Sequence, residues 1–464
     1  MLSMHLAALT DGLADGLPDG VGDALDLVGG FDDALTHGLG RLGETEAGAL
    51  DALAAALSAA PLGASAAEAA AKAGSGSASE EGLGVLAAGR AALLGAVHDA
   101  LLDRFDTATG RVRAIWDEPA PVPASGANLL AGARSWLHEV AVTGWRGVGH
   151  DLVAAVDPTV EALLAEPSLR RVAMLLDGLA AELRASSPVA TMARVPARRW
   201  GDLWSRAMLL TWQDGAPAGA GEPVSGRLLP LGVDVHEHPT GVQVQVHGVL
   251  ESGDGRRLVR ASVSAGKVDT IVGPAVWGVL DGYPVLLAAL AGHRAVEIDG
   301  MTLLPGGDLL WSEERAEAGE PADPFATARL QLDEATAAPV PPLERHPVRI
   351  AEPVLLEDYR IDGSDLVMDD HRLRVELANL PGSGPLTPEL VAASTACVGL
   401  VRWDAGGWSL RPLAVQATVK KKPVVAHGGD WALGPTDPKV VKAQAKSGDA
   451  VTVLRERAGR LLRK

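Results

Sequence analysis

Leu6, Leu9, Leu13, Leu17, Val21, Leu25, Val28, Phe31, Leu35, Leu39 and Leu42 recur every three or four positions, which places them on one stripe of a helix. Each interspersed glycine costs about 1 kcal/mol relative to alanine in a helix interior, so the stripe predicts several short helices, with breaks at Gly29-Gly30 and Gly43. Similar spacing continues through Ala49–Ala60, Gly84–Asp106, Asn128–Glu139, Thr159–Ala165, Ser168–Ala185 and Arg198–Trp212. Between them, Gly74–Ser79 reads as a turn-forming linker and the proline run from Pro119 to Pro123 as a connection. Residues 1–213 are therefore predicted to form a helical domain.

After the Ala-, Pro- and Gly-rich stretch Gly215–Gly226 the period changes from 3.6 to 2. Leu228–His238 and Val242–Leu250 alternate apolar and polar residues around Pro239-Thr240-Gly241, the signature of a hairpin. Strands are expected at Leu258–Val263, Val268–Val272, Arg294–Ile298, Thr302–Leu304 and Leu309–Trp311, with a buried helix over Pro274–Ala291. These make a β-rich domain over 227–315. A proline-rich linker, Ala316–Leu343, with one helical turn near Phe325–Leu332, leads to a second β-rich domain over 343–433. The second domain's expected strands begin at Val348–Ile350 and include Asp365–Met368, Leu373–Leu377, Cys397–Trp403, Trp408–Leu410 and Ala414–Val419, and a basic helical tail follows over 437–464. Val296–Gly300 and Tyr359–Gly363 share a strand and Gly-turn texture, too short a match to establish a duplication. The fold class is α+β multidomain: a helical half, a β-rich half in two units and a short basic C-terminal helix.

Composition narrows the chemistry. The chain has 464 residues, a net charge of -18 and a single cysteine, Cys397, so neither an internal disulfide nor a thiolate zinc knuckle is available. No uninterrupted apolar run reaches membrane-spanning length, and no basic leader precedes Asp11, so a soluble, cytoplasmic protein is expected. Charge is uneven: residues 401–464 hold 13 Lys+Arg against 5 Asp+Glu, a net +8 that leaves -26 on the residues before them. Seven of the nine lysines lie in that final stretch.

Few motifs carry chemistry. Gly38-Leu39-Gly40-Arg41-Leu42-Gly43 matches a dinucleotide-binding pattern by letter, but helical spacing precedes it where the mechanism needs a strand. A Walker A loop, a GxSxG elbow and an HExxH helix are all missing from the sequence. In the expected hairpin, Asp234, His236 and His247 share the polar face, with His247 opposite Asp234; two imidazoles and a carboxylate there could chelate a divalent ion. Asp369-Asp370-His371 offers a lesser set. Asp11, Asp15, Asp19, Asp23 and Asp26 line one helical face and invite a counter-charge from the tail. Lys420, Lys421, Lys422, Lys439, Lys442 and Lys446, with Arg455, Arg457, Arg460, Arg463 and Lys464, could meet phosphates, and Trp403, Trp408 and Trp431 could stack bases. Trp200, Trp204, Met208 and Trp212 form a stripe that reads first as core. With Arg198, Arg199 and Arg206 beside it, the competing reading is a partner-binding anchor.

The segments Arg198–Leu210 and Val401–Asp404 through Lys420–Pro423 to Gly429–Trp431 resemble uncharacterised actinobacterial proteins. Those are associated with gene neighbourhoods of MoxR-type AAA+ ATPases, von Willebrand factor A domain proteins and SWIM zinc-finger proteins. The Ala-, Gly-, Asp- and Arg-rich, Lys-poor composition looks like the same G+C-rich coding bias. The resemblance covers about a fifth of the chain, carries no catalytic motif and implies an accessory component of an ATPase-linked assembly. The leading expectation is a non-catalytic interaction protein whose partner is another protein, such as the AAA+ ATPase or the von Willebrand factor A domain protein. The alternatives are nucleic-acid binding through the tail and a metal-dependent hydrolase centred on His236 and His247. No cofactor is predicted.

Overall fold

The computed structural model describes residues 9, 13, 16–118, 127–212, 221–368, 371–447, 451–453 and 456. It is an α+β architecture with helices in the first half and two sheet units in the second. The helical unit contains α1 (Val21–His37), α2 (Glu44–Ala56), α3 (Gly63–Gly74), α4 (Glu80–Thr109), α5 (Ala127–Thr143), α6 (His150–Ala154), α7 (Asp157–Ala165), α8 (Arg170–Ala185) and α9 (Ala197–Trp212).

Contrary to the expected break, α1 runs through Gly29-Gly30. At Gly30 α2 comes close, since a Cβ there would lie 3.1 Å from that of Ala49. The helix ends instead at Gly38, whose φ of 99° suits glycine and whose missing Cβ lets the Thr143 carbonyl approach. That residue opens the GxGxxG match, so a helix precedes the motif and the strand it requires is absent there.

The longest helix, α4, starts where Ser79 Oγ accepts from the Gly82 amide at 3.1 Å and ends on left-handed Gly110. By length and composition α4 is apolar enough to span a membrane, which the search for uninterrupted apolar runs missed. Half of that apolar stretch is nevertheless buried within the protein. Leu83, Leu86 and Ala87 lie in the helical core, whereas Val97, Leu101, Leu102 and Phe105 pack toward the second sheet unit.

The first sheet unit comprises β1 (Glu222–His238), β2 (Gly241–Ser252), β3 (Gly255–Gly266), β4 (Arg294–Leu303), β5 (Asp308–Leu310) and β6 (Ala316–Pro321). β1 pairs with both β2 and β4, and β3 pairs in parallel with β5, so the order β1-β2-β3-β5-β4 closes on itself; β6 is added on β4. Between β3 and β4, the expected buried helix is a 3-10 segment, Gly273–Leu280, followed by α10 (Pro284–Ala291). Its Val276, Trp277, Leu286 and Leu290 join Val244 and Val246 in the barrel core. Val268–Val272 forms no strand.

The second unit contains β7 (Ala351–Glu357), β8 (Arg360–Asp362), β9 (Asp365–Met368), β10 (His371–Val375), α12 (Pro388–Ala392), β11 (Ser394–Asp404), β12 (Gly407–Val419) and β13 (Lys422–His427). If β7 and β8 are taken as one strand interrupted at Asp358-Tyr359, the connectivity repeats that of the first barrel. The first strand meets the second and fourth, the third runs parallel to the fifth, and a helix links the third and fourth. This is the strand order of the oligonucleotide/oligosaccharide-binding (OB) barrel, a fold that by itself specifies no ligand. The short match noted in the sequence does not mark this repeat. Val296–Ile298 lies in the fourth strand of one barrel, and Arg360–Asp362 in the first strand of the other.

The proline-rich segment expected as a linker is packed between the barrels. It contains β6 and α11 (Pro324–Gln331), and Phe325, Ala328, Leu332, Ala335 and Ala337 join Leu229 and Leu231 of one barrel and Ala396 and Val398 of the other. Thr336 pairs with β3, and Ala337 pairs with the chain that follows α4. Gly232 on β1 faces Leu413 on β12, where a Cβ would collide with the leucine side chain. Gly232→Ala is expected to lose about 1–3 kcal/mol by overpacking, measured as a lower urea midpoint. The final described helix, α13 (Pro438–Ser447), is no free tail, because Val440 and Val451 pack on the first barrel's core.

Candidate functional site

The residues expected to bind metal meet at the seam between the barrels, in a different register from the one expected. The hairpin turn is only Pro239-Thr240, so Asp234 faces Gln245, His236 faces Gln243, and His247 faces Gly232. Asp234 and His247 are also buried, because the second barrel covers this part of β1 and β2. Arg411 on β12 reaches across, and its Nε donates to Asp234 Oδ1 at 2.6 Å; His236 Nε2 lies 3.2 Å from Asp234 Oδ2. A guanidinium thus neutralises the carboxylate that a metal would have used. The metal assignment to Asp234, His236 and His247 is corrected accordingly.

The network continues into the second barrel. Arg411 Nη1 is 3.6 Å from Glu376 Oε2, Arg402 Nη1 is 3.5 Å from the same oxygen, and Ser409 Oγ donates to Glu376 Oε1 at 2.8 Å. Burial raises the Asp234 pKa, but the His236 hydrogen bond and the Arg411 charge outweigh it and bring the carboxyl to about 2. Burial holds His247 neutral and pushes its pKa down to about 3, with Arg260 adding to the effect. Its Nε2 has no hydrogen-bond partner.

On the outer face of the first barrel, the exposed row His236, Gln243 and Ser264 lies beside the row Asp234, Gln245 and Ser262, which runs from the buried seam to half-buried positions. Those rows contain no Phe, Tyr or Trp on which a base could stack. The tryptophans considered for stacking are engaged elsewhere. Trp403 and Trp408 pack edge to face at 5.1 Å, and Trp431 lies in the first barrel's core cluster.

The anchor reading of α9 also needs correction, and the core reading of its stripe describes the structure. Trp200 and Trp204 are fully buried, with their indole N–H groups donating to Glu182 Oε2 at 2.8 Å and to the Leu137 carbonyl at 2.9 Å. Arg198 binds Asp32 at 3.0 Å, Arg199 binds Glu182 at 2.6 Å, and Arg206 binds Asp202 at 2.7 Å. These side chains stitch the helical unit to itself. Trp212, half-exposed beneath the Arg134 guanidinium, is the remaining aromatic of that stripe.

The lysines fall in separate places. Lys420 and Lys421 form the tip of the β12–β13 hairpin, both in left-handed backbone (φ 51° and 63°), and Lys422 opens β13. Exposed Lys439 and Lys442 lie on α13, a separate element from that hairpin. Lys446 lies on the same helix. Arg455, Arg457, Arg460, Arg463 and Lys464 lie outside the described residues, as do Asp11, Asp15, Asp369 and Asp370.

The sequence reading overlooked two groups. Asp32 and Arg90 form a bidentate pair, only 2% and 1% exposed, at 2.7 and 3.1 Å. The available signal was a charged residue within each apolar stripe, Asp32 beside Phe31 and Arg90 between Leu86 and Leu94. His293, His427 and Asp430 converge from the turn before β4 and the turn after β13, which no local motif announces.

Comparison with protein-family models, curated proteins and solved structures finds no match to this chain.

Proposed function

We propose that the chain is a non-catalytic, cytoplasmic interaction protein that holds a partner protein on a rigid three-part body. The observation carrying this reading is how its buried charges are used. Asp234–Arg411 joins the two barrels, and Glu352 joins Arg111 and Arg113 between the helical unit and the second barrel, each at 3.1 Å. Asp32–Arg90 locks the helical unit. Groups that acid–base chemistry would draw on are spent on ion pairs, whereas Asp19 in the turn before α1 and Asp23 and Asp26 on α1 are exposed to solvent. The family resemblance names an AAA+ ATPase or a von Willebrand factor A domain protein as the partner class.

Affinity capture of full-length tagged protein from its host is expected to recover one of these at fixed stoichiometry. A monomer that captures neither would overturn the reading. Truncation before α13 is unsuitable as a control, since Val440 covers the first barrel.

One observation favours nucleic acid as a second reading: Lys420 and Lys421 both occupy a backbone region that non-glycine residues rarely adopt, at an exposed tip. Replacing Lys420, Lys421 and Lys422 by serine is expected to abolish low-salt binding of single-stranded DNA and to flatten its salt dependence. Unchanged binding would remove the hairpin from consideration.

A further inference from the structure

We propose that His293, His427 and Asp430 form a site for a divalent transition-metal ion, with zinc as the best fit, that links the first barrel to the chain leaving the second. The three side chains come from two distant segments. His293 stands in the turn between α10 and β4, and His427 and Asp430 flank Gly428-Gly429 at the end of β13. One ligand atom from each lies within 4.8 Å of the others. His293 Nε2 is 2.6 Å from Asp430 Oδ1, and the two imidazole rings are 5.4 Å apart, centre to centre.

Zinc bonds of about 2.0–2.2 Å to nitrogen and oxygen place neighbouring donors roughly 3.3 Å apart in a tetrahedron. The pair at 2.6 Å must open slightly and the wider spacing must close, both within the reach of side-chain rotation. Two imidazoles and a carboxylate are a borderline donor set that suits zinc, with a fourth position left for water.

The backbone around the cluster is specialised in ways that packing alone does not require. His293 adopts φ 46°, unusual for a side chain with a Cβ, and its carbonyl accepts the Ala322 amide at 2.7 Å. A Cβ on Gly429 would lie 3.1 Å from both the His427 ring and Leu290 Cβ, so glycine lets the ring sit against α10. Asp430 is held by its Oδ2, which accepts the His427 amide at 3.0 Å, leaving Oδ1 directed at His293. His427 Nδ1 accepts the Gly429 amide at 2.9 Å, which puts the ring proton on Nε2 and engages the one ring lone pair, on Nδ1, in that hydrogen bond. A metal would displace the Gly429 N–H from that lone pair, exchanging the hydrogen bond for a coordinate bond and leaving Nε2–H as the donor.

The test is titration of chelator-treated full-length protein with Zn²⁺ by calorimetry and with Co²⁺ by visible absorption. The expected result is one ion per chain, tetrahedral Co²⁺ bands, and a higher melting temperature with Zn²⁺. Asp430→Asn and His293→Gln should each weaken binding by tenfold or more and remove the thermal shift, with near-UV circular dichroism confirming that the variants remain folded. Absence of binding to the wild type would overturn the proposal. So would wild-type affinity in both variants, which would place the ion elsewhere, for instance on the exposed His236 and His238. If both variants unfold, Co²⁺ bands in the wild-type protein lacking imidazole character would overturn it equally.

Discussion

Arg411→Ala is expected to destabilise the protein by about 3–5 kcal/mol, because it strands the Asp234 carboxylate in a closed seam. The two side chains are 9% and 4% exposed, and the bond between them is short, at 2.6 Å. Once Arg411 is removed, only His236, itself open to solvent, remains to meet the buried negative charge. Asp234→Ala should be costly for the complementary reason, since Arg411 would keep only the longer approach to Glu376. The double variant Asp234→Leu/Arg411→Met should lose less than either single change, because burying two apolar groups avoids the desolvation of both charges. Urea unfolding followed by tryptophan fluorescence and circular dichroism reads all four proteins, and coincidence of the two signals shows whether the barrels unfold together. A loss below about 1 kcal/mol for Arg411→Ala would mean that water reaches the pair, as in exposed ion pairs, and that the barrels are not tightly joined there.

What the sequence revealed and what it hid divide along the range of the interactions. Period and capping are local, so α9, β9 and the hairpin around Pro239-Thr240 were legible, as was the change from helices to strands near residue 222. The fate of Gly29-Gly30 depended on Ala49, a neighbour on another helix, and no propensity scale contains that information. Pro412 hid the full length of β12, and Pro223 with the irregularity at Gly226 hid the start of β1, since proline and glycine read as strand breakers. The barrel closures depend on pairings such as Arg374 with Ser409 and Arg260 with Asp308, which are remote in the chain. The candidate site failed for a related reason. Asp234, His236 and His247 were correctly placed on one hairpin, but the group that decides their chemistry, Arg411, lies 177 residues away. His293 and Asp430 are separated by 137 residues and share no motif.

Acidification should weaken the fold well above the pH at which carboxylates protonate. Burial keeps His247 and His346 neutral, with pKa values brought down to about 3 and about 4; Arg260 adds to the first, and Arg90 and Arg206 partly offset Asp202 at the second. In the unfolded chain both rings return to about 6.5. Between those limits the unfolded state binds protons that the folded state refuses, so stability falls as pH drops below about 6.5, by up to about 1.4 kcal/mol per unit for each ring. Asp234 acts in a lower window: its folded value of about 2 lies below the usual 3.8, so its contribution is present above that value and is lost as pH falls toward 2. Burial also pushes His427 down to about 4, so the three buried rings should govern the interval from about pH 6 to 4, with a combined slope near 4 kcal/mol per unit that no exposed histidine produces. His247→Gln and His346→Gln should each remove about a third of that slope, whatever they do to stability at neutral pH. A stability profile that stays flat from neutrality to about pH 5 would show that water reaches these rings, and with His247 wet the seam that sequesters Asp234 and Arg411 would have to be open too.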